Sequence, residues 1–294
     1  MARSHVLVGA DQSATELRIR DISFSDIKDA LRAGVRDFAA MPTHAIFLCV
    51  IYPVVGLIAA RLAFGYSFLP LLYPLMTGFA LLGPVAALGL FELSRQREAG
   101  KTPSAAHALD VLRSSSLGGI VALGAVLATL FLIWIAVANA IYIANFGYAP
   151  PESVATFVRD VLTTGPGWTL IILGNGIGFL FAVVVLTVSV VSFPLLLDRD
   201  VGAAVALLTS IRVVMKNPLT MALWGLIVAA LLLLGSLPLF VGLTVVMPIL
   251  GHATWHLYRK AVESDGSPPP TYRTPVPGRR FAADFPAVLF PWAR

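Results

Sequence analysis

The run NPLTMALWGLIVAALLLLGSLPLFVGLTVVMPILGHATWHLY, Asn217–Tyr258, holds 42 residues without an Asp, Glu, Lys or Arg. A helix covers the roughly 30 Å of bilayer hydrocarbon with about 20 apolar residues. The run is therefore too long for one crossing and right for two. The break falls at Gly235-Ser236-Leu237-Pro238, where glycine and proline together interrupt a helical pattern. The rest of the chain has the same character: of 294 residues, 57% are hydrophobic and 13% charged, with a mean hydropathy of +0.84. Soluble domains carry about a quarter charged residues, so the composition excludes a soluble enzyme, a disordered scaffold and a nucleic-acid-binding domain. The single cysteine, Cys49, excludes an internal disulfide framework and a cysteine-built zinc or iron–sulfur site.

Working outward, four more uncharged stretches predict spans at His44–Ala60, Phe68–Leu90, Leu117–Ile143 and Trp168–Phe193. Pro70, Pro74 and Pro84 are expected to bend the second of these. Six spans place both chain ends on one side. Lys and Arg fix which side: nineteen lie before the first span, after the second, after the fourth or after the last, and only Arg61 and Arg159 fall opposite. That asymmetry predicts cytoplasmic N and C termini. It also accounts for the net charge of +5 by topology and affinity for anionic headgroups, with no need of nucleic acid. No cleavable signal peptide is read in residues 1–43. Tyr66, Tyr73, Tyr142, Tyr148 and Trp168 fall at the expected outer aromatic belt.

Each pair of spans follows a short amphipathic segment. The first starts at the capping-box pattern Ser23–Asp26 and aligns Ile27, Leu31, Val35 and Phe38. The second starts at Thr102-Pro103 and aligns Ala105, Leu109 and Leu112. The third, after Asp198 or Asp200, aligns Ala204, Leu207, Leu208, Ile211, Val214 and Met215. Ala30-Leu31-x-x-Gly34-Val35-Arg36, with Pro42 beyond it, matches Ala206-Leu207-x-x-Ser210-Ile211-Arg212, with Pro218 beyond it. The expected fold is all-α: six transmembrane helices as three helical hairpins, each preceded by a cytoplasmic amphipathic helix on the inner leaflet. Residues 1–21 read as a flexible lead, 22–262 as the membrane domain and 263–294 as a proline-rich cytoplasmic tail.

Four motifs point to a family. They are Phe91-Glu92-Leu93-Ser94-Arg95, Phe193–Val201 with Asp198 and Arg199, Lys216-Asn217-Pro218, and Gly251–Lys260 with His252, Trp255 and His256. From about Ile22 to Val262 the chain resembles domain-of-unknown-function family 2189, predicted integral membrane proteins of bacteria. The resemblance implies a topology and no activity. A likeness of such families to the haem–copper oxidase catalytic subunit would imply more histidines and more spans than this chain has, with its five histidines.

His252 and His256 stand four apart, on one face of the last helix, and His44 starts the first span on the same side. As metal or haem ligands they are weak candidates beside an interfacial role next to Trp255, hydrogen-bonding headgroups or helix ends. Glu92, near Arg95, suits a structural ion pair or cap better than a proton relay. Gly174 and Gly178, flanking Asn175, form a small-x-x-x-small face for packing another helix, or else a broken helix along a substrate path. Pro150-Pro151-Glu152 opens a short helix with Val154, Phe157, Val158 and Val161 on one side. No cofactor is expected, and no carboxylate, lysine or arginine falls at mid-span, which disfavours ion-coupled transport. The residues favour a non-catalytic accessory, assembly or membrane-organising protein, acting on the bilayer, on another membrane protein or on further copies of itself. The alternative is a transporter or channel for an uncharged or lipid-like molecule.

Overall fold

The computed structural model describes residues 17–41, 69–238 and 240–264. The expected span His44–Ala60, the candidate ligand His44 and the tail beyond residue 264 lie outside the described residues. What is described is helical: α1 Phe24–Ala40, α2 Leu69–Leu81, α3 Gly83–Ala86, α4 Leu88–Glu98, a 3-10 helix Ala105–Arg113, α5 Leu117–Phe146, α6 Val154–Thr163, α7 Gly165–Ser189, α8 Ser192–Asp198, α9 Ala203–Lys216, α10 Pro218–Ser236 and α11 Leu243–Ala261. Three helical stretches are long and apolar enough to cross a membrane: Leu117–Phe146, Gly165–Asp198 and Pro218–Ser236.

Local chemistry sets most boundaries. Ser23 accepts from the Asp26 N–H while Asp26 accepts from the Ser23 N–H, which starts α1 with the reciprocal capping box that its sequence predicts. Gly147, at φ +77°, ends α5 where a side chain would be strained. Ser153 caps α6 at Thr156, and α10 stops at Ser236, where Gly235 and Pro238 were expected to break the run. The stretch expected as one bent span from Phe68 to Leu90 is three helices. Pro74 lies inside α2 and Pro84 opens α3, because proline has no N–H to continue the ladder. The second amphipathic segment also differs from expectation. It is a 3-10 helix that starts at Ser104, whose hydroxyl and N–H both meet His107 Nδ1.

Two regions differ in how they bury side chains. Leu132 of α5, Leu180 of α7 and Leu226 and Leu233 of α10 are each at least 60% exposed, as helices in lipid present themselves. Apart from Trp224 of α10 and Leu127 of α5, the fully buried large side chains gather where α1, α4, α8 and the second half of α11 meet, among them Phe91, Phe193, Leu195–Leu197, Trp255 and Tyr258. This tightly packed base carries nearly all the described charges. An extended segment, Leu17–Ile22, is clasped across it. Asn217 accepts from the Ile22 N–H at 2.7 Å and donates to Arg20 O, Thr220 donates to Ile22 O, and Ile19 bridges Val262. Asn217 thus ties the N-terminal segment to the α9–α10 corner.

The fully buried faces of α1 and α9 are made mainly of small residues, with Leu31, Phe38, Leu207 and Val214 of the apolar stripes packed partly against the core. α1 buries Ile27, Ala30, Gly34 and Asp37 and leaves Val35 exposed. α9 buries Ala203, Ala206, Thr209, Ser210 and Val213 and leaves Leu208 and Met215 exposed. A Cβ on Gly34 would stand 2.7 Å from the Ala253 nitrogen and the Ile249 oxygen of α11, so α1 lies backbone to backbone on that helix.

Ser210 repairs a break. The path from α7 to α8 parts at Val190–Val191, ahead of Pro194. In an unbroken helix the Val191 N–H would bond the Thr187 carbonyl. Instead Ser210 Oγ donates to Thr187 O at 2.7 Å and accepts from the Val191 N–H at 3.3 Å. Ser210→Ala strands both backbone groups in a fully buried place, and is expected to cost roughly 2–4 kcal/mol. Ser236→Ala, which removes a bond only to Leu232 O in its own helix, should stay within about 0.5 kcal/mol. Thermal unfolding in detergent, followed by tryptophan fluorescence, checks the pair; equal shifts would refute the bridging role.

Candidate functional site

At the base, three segments far apart in sequence contribute one polar network. α1 brings Asp37, α4 brings Ser94 and Arg97, and α11 brings His252 and His256. Ser94 Oγ donates to Asp37 Oδ2 at 2.7 Å and meets His252 Nδ1 at 2.7 Å; His256 Nε2 meets Asp37 Oδ2 at 2.8 Å. Arg97 pairs with Asp37 Oδ1. With the Ser94 proton on the carboxylate, His252 Nδ1 is the donor to Ser94 Oγ, and the Leu90 backbone carbonyl lies against the buried ring. Burial pushes the Asp37 carboxyl up, yet the hydrogen bonds from His256 and Ser94 outweigh it and hold the group below its ordinary value.

The order of contacts decides what this can do. A nucleophilic triad runs acid to imidazole to hydroxyl. Here Asp37 touches Ser94 and His256 but not His252, and Ser94 and His252 are almost wholly shut from the surface. The arrangement suits joining helices. His252 and His256 do share a face, as their spacing predicts, and bond Ser94 and Asp37. Among the described residues no three His, Cys, Asp or Glu side chains stand close enough to hold a metal.

Two neighbouring sets extend the lattice. Glu98 accepts from Trp255 Nε1 at 2.9 Å and Arg259 Nε at 3.0 Å, while Asp198 accepts from Tyr258 at 2.6 Å and Arg259 at 3.1 Å. Arg199, 3% exposed, donates to Glu263 O. Glu92 is fully buried and held bidentately by Arg95 at 2.8 and 2.9 Å, with Gln96 as a third donor. Asp37, Arg97 and Glu98 were not singled out by sequence, and Ser94 entered only as part of the Phe91–Arg95 motif. Asp37 had a usable signal, since it lies on the same helical face as Ala30 and Gly34.

At the rim, Lys260 meets Asp26 at 2.8 Å and Asp29 at 3.5 Å. Hydrogen bonds from Lys260 and Ser23 lower the Asp26 carboxyl to about 2, from 3.8. A carboxyl depressed by folding contributes stability above its unfolded value, and that contribution disappears as pH falls through the folded value. The α1–α11 contact should therefore weaken between about pH 4 and pH 2. Thermal midpoints across that window should fall further in the wild type than in Lys260→Met; parallel curves would show that the pair contributes nothing.

Elsewhere, Gly174 and Gly178 meet different surroundings among the described residues. A Cβ on Gly178 would meet Trp134 at 3.0 Å, whereas at Gly174 no described atom lies within 4 Å. Gly174 and Asn175 instead border a cavity of about 350 Å³ between α2, α5, α6 and α7, lined also by Tyr73, Pro74, Trp134 and Phe157. Tyr73 donates to Asn175 Oδ1 at 2.7 Å, and Trp134 Nε1 donates to Pro74 O.

Residues 71–198 match the family described as "Predicted integral membrane protein (DUF2189)". The match takes in the Phe91–Arg95 and Phe193–Asp198 motifs. Lys216-Asn217-Pro218 and Gly251–Lys260, on which the resemblance also leaned, lie beyond it. No curated protein and no solved structure matches the chain.

Proposed function

We propose that this integral membrane protein is a non-catalytic accessory, assembly or membrane-organising component of a bacterial inner membrane, with six spans and both termini cytoplasmic. One observation carries the reading: the polar side chains of the base are engaged with one another. Asp37, Ser94, His252, Glu92, Arg95, Glu98, Asp198 and Arg259 close on protein partners and fasten the first, middle and last segments together. The outward faces of α5, α7 and α10 are apolar, which suits lipid or a partner's helices. The two matched segments support an internal repeat in two of the three units, since Ala30 and Ala206, Gly34 and Ser210, and Asp37 and Val213 are buried at equivalent positions.

The test is purification from native membranes in a mild detergent, with mass spectrometry of whatever co-elutes in stoichiometric amount. A constant membrane-protein partner supports the reading; elution alone, with bound lipid only, overturns the accessory role. A second reading, transport of an uncharged or lipid-like molecule, is favoured by the cavity at Gly174 and Asn175. Stopped-flow swelling of proteoliposomes with glycerol should then exceed that of empty liposomes and be slowed by Gly174→Phe. Equal rates would remove it.

A further inference from the structure

The turn of α1 that packs small residues on α11 leaves its large apolar side chains over an open groove. Phe24, Leu31 and Val35 of α1 line it together with Leu223 and Ile227 of α10. Phe24 and Val35 are about half exposed, and Leu223 and Ile227 belong to a helix apolar enough to cross a membrane. Around this apolar floor stand Lys28, Arg32, Arg36, Arg259 and Lys260, with His256 beside them. Asp29 is the only acidic side chain among the described lining residues, and it is shared between Arg32 at 3.9 Å and Lys260 at 3.5 Å. Arg259 and Lys260 are engaged by Asp198, Glu98 and Asp26. Lys28 and Arg36 have no ion-pair partner among the described residues.

We infer that this groove binds an anionic phospholipid, its phosphate headgroup against Lys28, Arg32 and Arg36 and an acyl chain along Leu31, Leu223 and Ile227. Charge complementarity selects the occupant. A neutral lipid or an apolar peptide would leave Lys28 and Arg36 beside apolar surface with nothing to neutralise them. A free phosphate would leave Phe24, Leu31 and Val35 uncovered. The volume, about 1050 Å³, stands at the upper end of small-ligand pockets, as a headgroup with the start of a chain requires. The site is independent of whether the protein has a protein partner.

The experiment is native mass spectrometry of the delipidated full-length chain in detergent, titrated with dioleoyl phosphatidylglycerol or dioleoyl phosphatidylcholine. Expected is one phosphatidylglycerol bound in clear preference to phosphatidylcholine. Lys28→Gln/Arg36→Gln should weaken it roughly 30-fold, since each basic residue near an anionic surface contributes about a fivefold factor. Lys101→Gln/Arg113→Gln, which removes the same charge elsewhere on the base, should leave it unchanged. Any of four results overturns the site: no adduct, as when the chain's own residues 42–68 fill the groove; equal binding of both lipids; equal loss in the control variant; or displacement by glycerol 3-phosphate at matched concentration, which would mark a phosphate site instead of a lipid site.

Discussion

Gly34→Leu should lever α1 off α11 and expose both helices to exchange. Its Cβ alone would approach two backbone atoms at 2.7 Å and the Ala253 Cβ at 2.8 Å. Backbone cannot rotate out of the way as a side-chain tip can, so the helices must separate. Overpacking typically costs 1–3 kcal/mol, and with the rest of the side chain to place the loss should reach about 3 kcal/mol. The smaller Gly34→Ala makes the sharper comparison. Alanine in a helix interior gains about 1 kcal/mol over glycine in water, so without the contact it would stabilise. We expect it to destabilise. Gly174→Ala, the same change where no described atom lies within 4 Å, should be neutral or slightly stabilising. Hydrogen exchange of residues 24–40 in detergent reads the first, and thermal midpoints read both. If Gly34→Ala and Gly174→Ala behave alike, the close approach of α1 and α11 is wrong.

That contact also shows where the sequence was readable. The uncharged runs, the Gly235–Pro238 break and the Ser23 capping box are signals written in neighbouring residues, and the helices start and stop near them. The small-residue faces by which α1 and α9 pack on the protein were not picked out, for a physical reason. Periodicity weighs the largest apolar residues, which bury most area against a core in water. Helices that meet backbone to backbone select the smallest ones instead. Ala30, Gly34, Ala206 and Ser210 are therefore the packed set, and the large residues of α1 are left to line a groove. The internal sequence match contained this answer, since the small positions are the ones it retains. The base network was harder to see. A lone aspartate, Asp37, on an amphipathic helix reads as solvated, and only the docking of α1 against α4 and α11 brings it to Ser94 and His256. Likewise Ser210 is one serine in an apolar helix, and its use depends on a break in a different helix.

Asp37→Ala should be the most damaging single change at the base. It removes the acceptor of Ser94, His256 and Arg97 together, at a side chain 8% exposed. Breaking a buried pair from one side typically costs 3–5 kcal/mol, because the surviving groups are left uncompensated. The Arg97 and His256 side chains, 37% and 22% exposed, can turn toward solvent, so the expected loss is about 3 kcal/mol, the lower end. Asp37→Asn keeps one acceptor but must aim its amide N–H₂ at Arg97 or at Ser94 and His256, and should fall between. Asp37→Leu combined with Arg97→Leu and His256→Leu keeps the Ser94–His252 hydrogen bond, leaves fewer stranded groups and should recover at least half the loss, since apolar replacement of a buried polar set is often close to neutral. Unfolding midpoints of the three variants separate two meanings of the network. Loss in Asp37→Ala with recovery in the triple variant means that the cost is that of orphaned polar groups. Loss without recovery means that this hydrogen-bonded geometry itself holds α1, α4 and α11 in place. No loss in Asp37→Ala would mean that α1 is held by Ala30 and Gly34 alone.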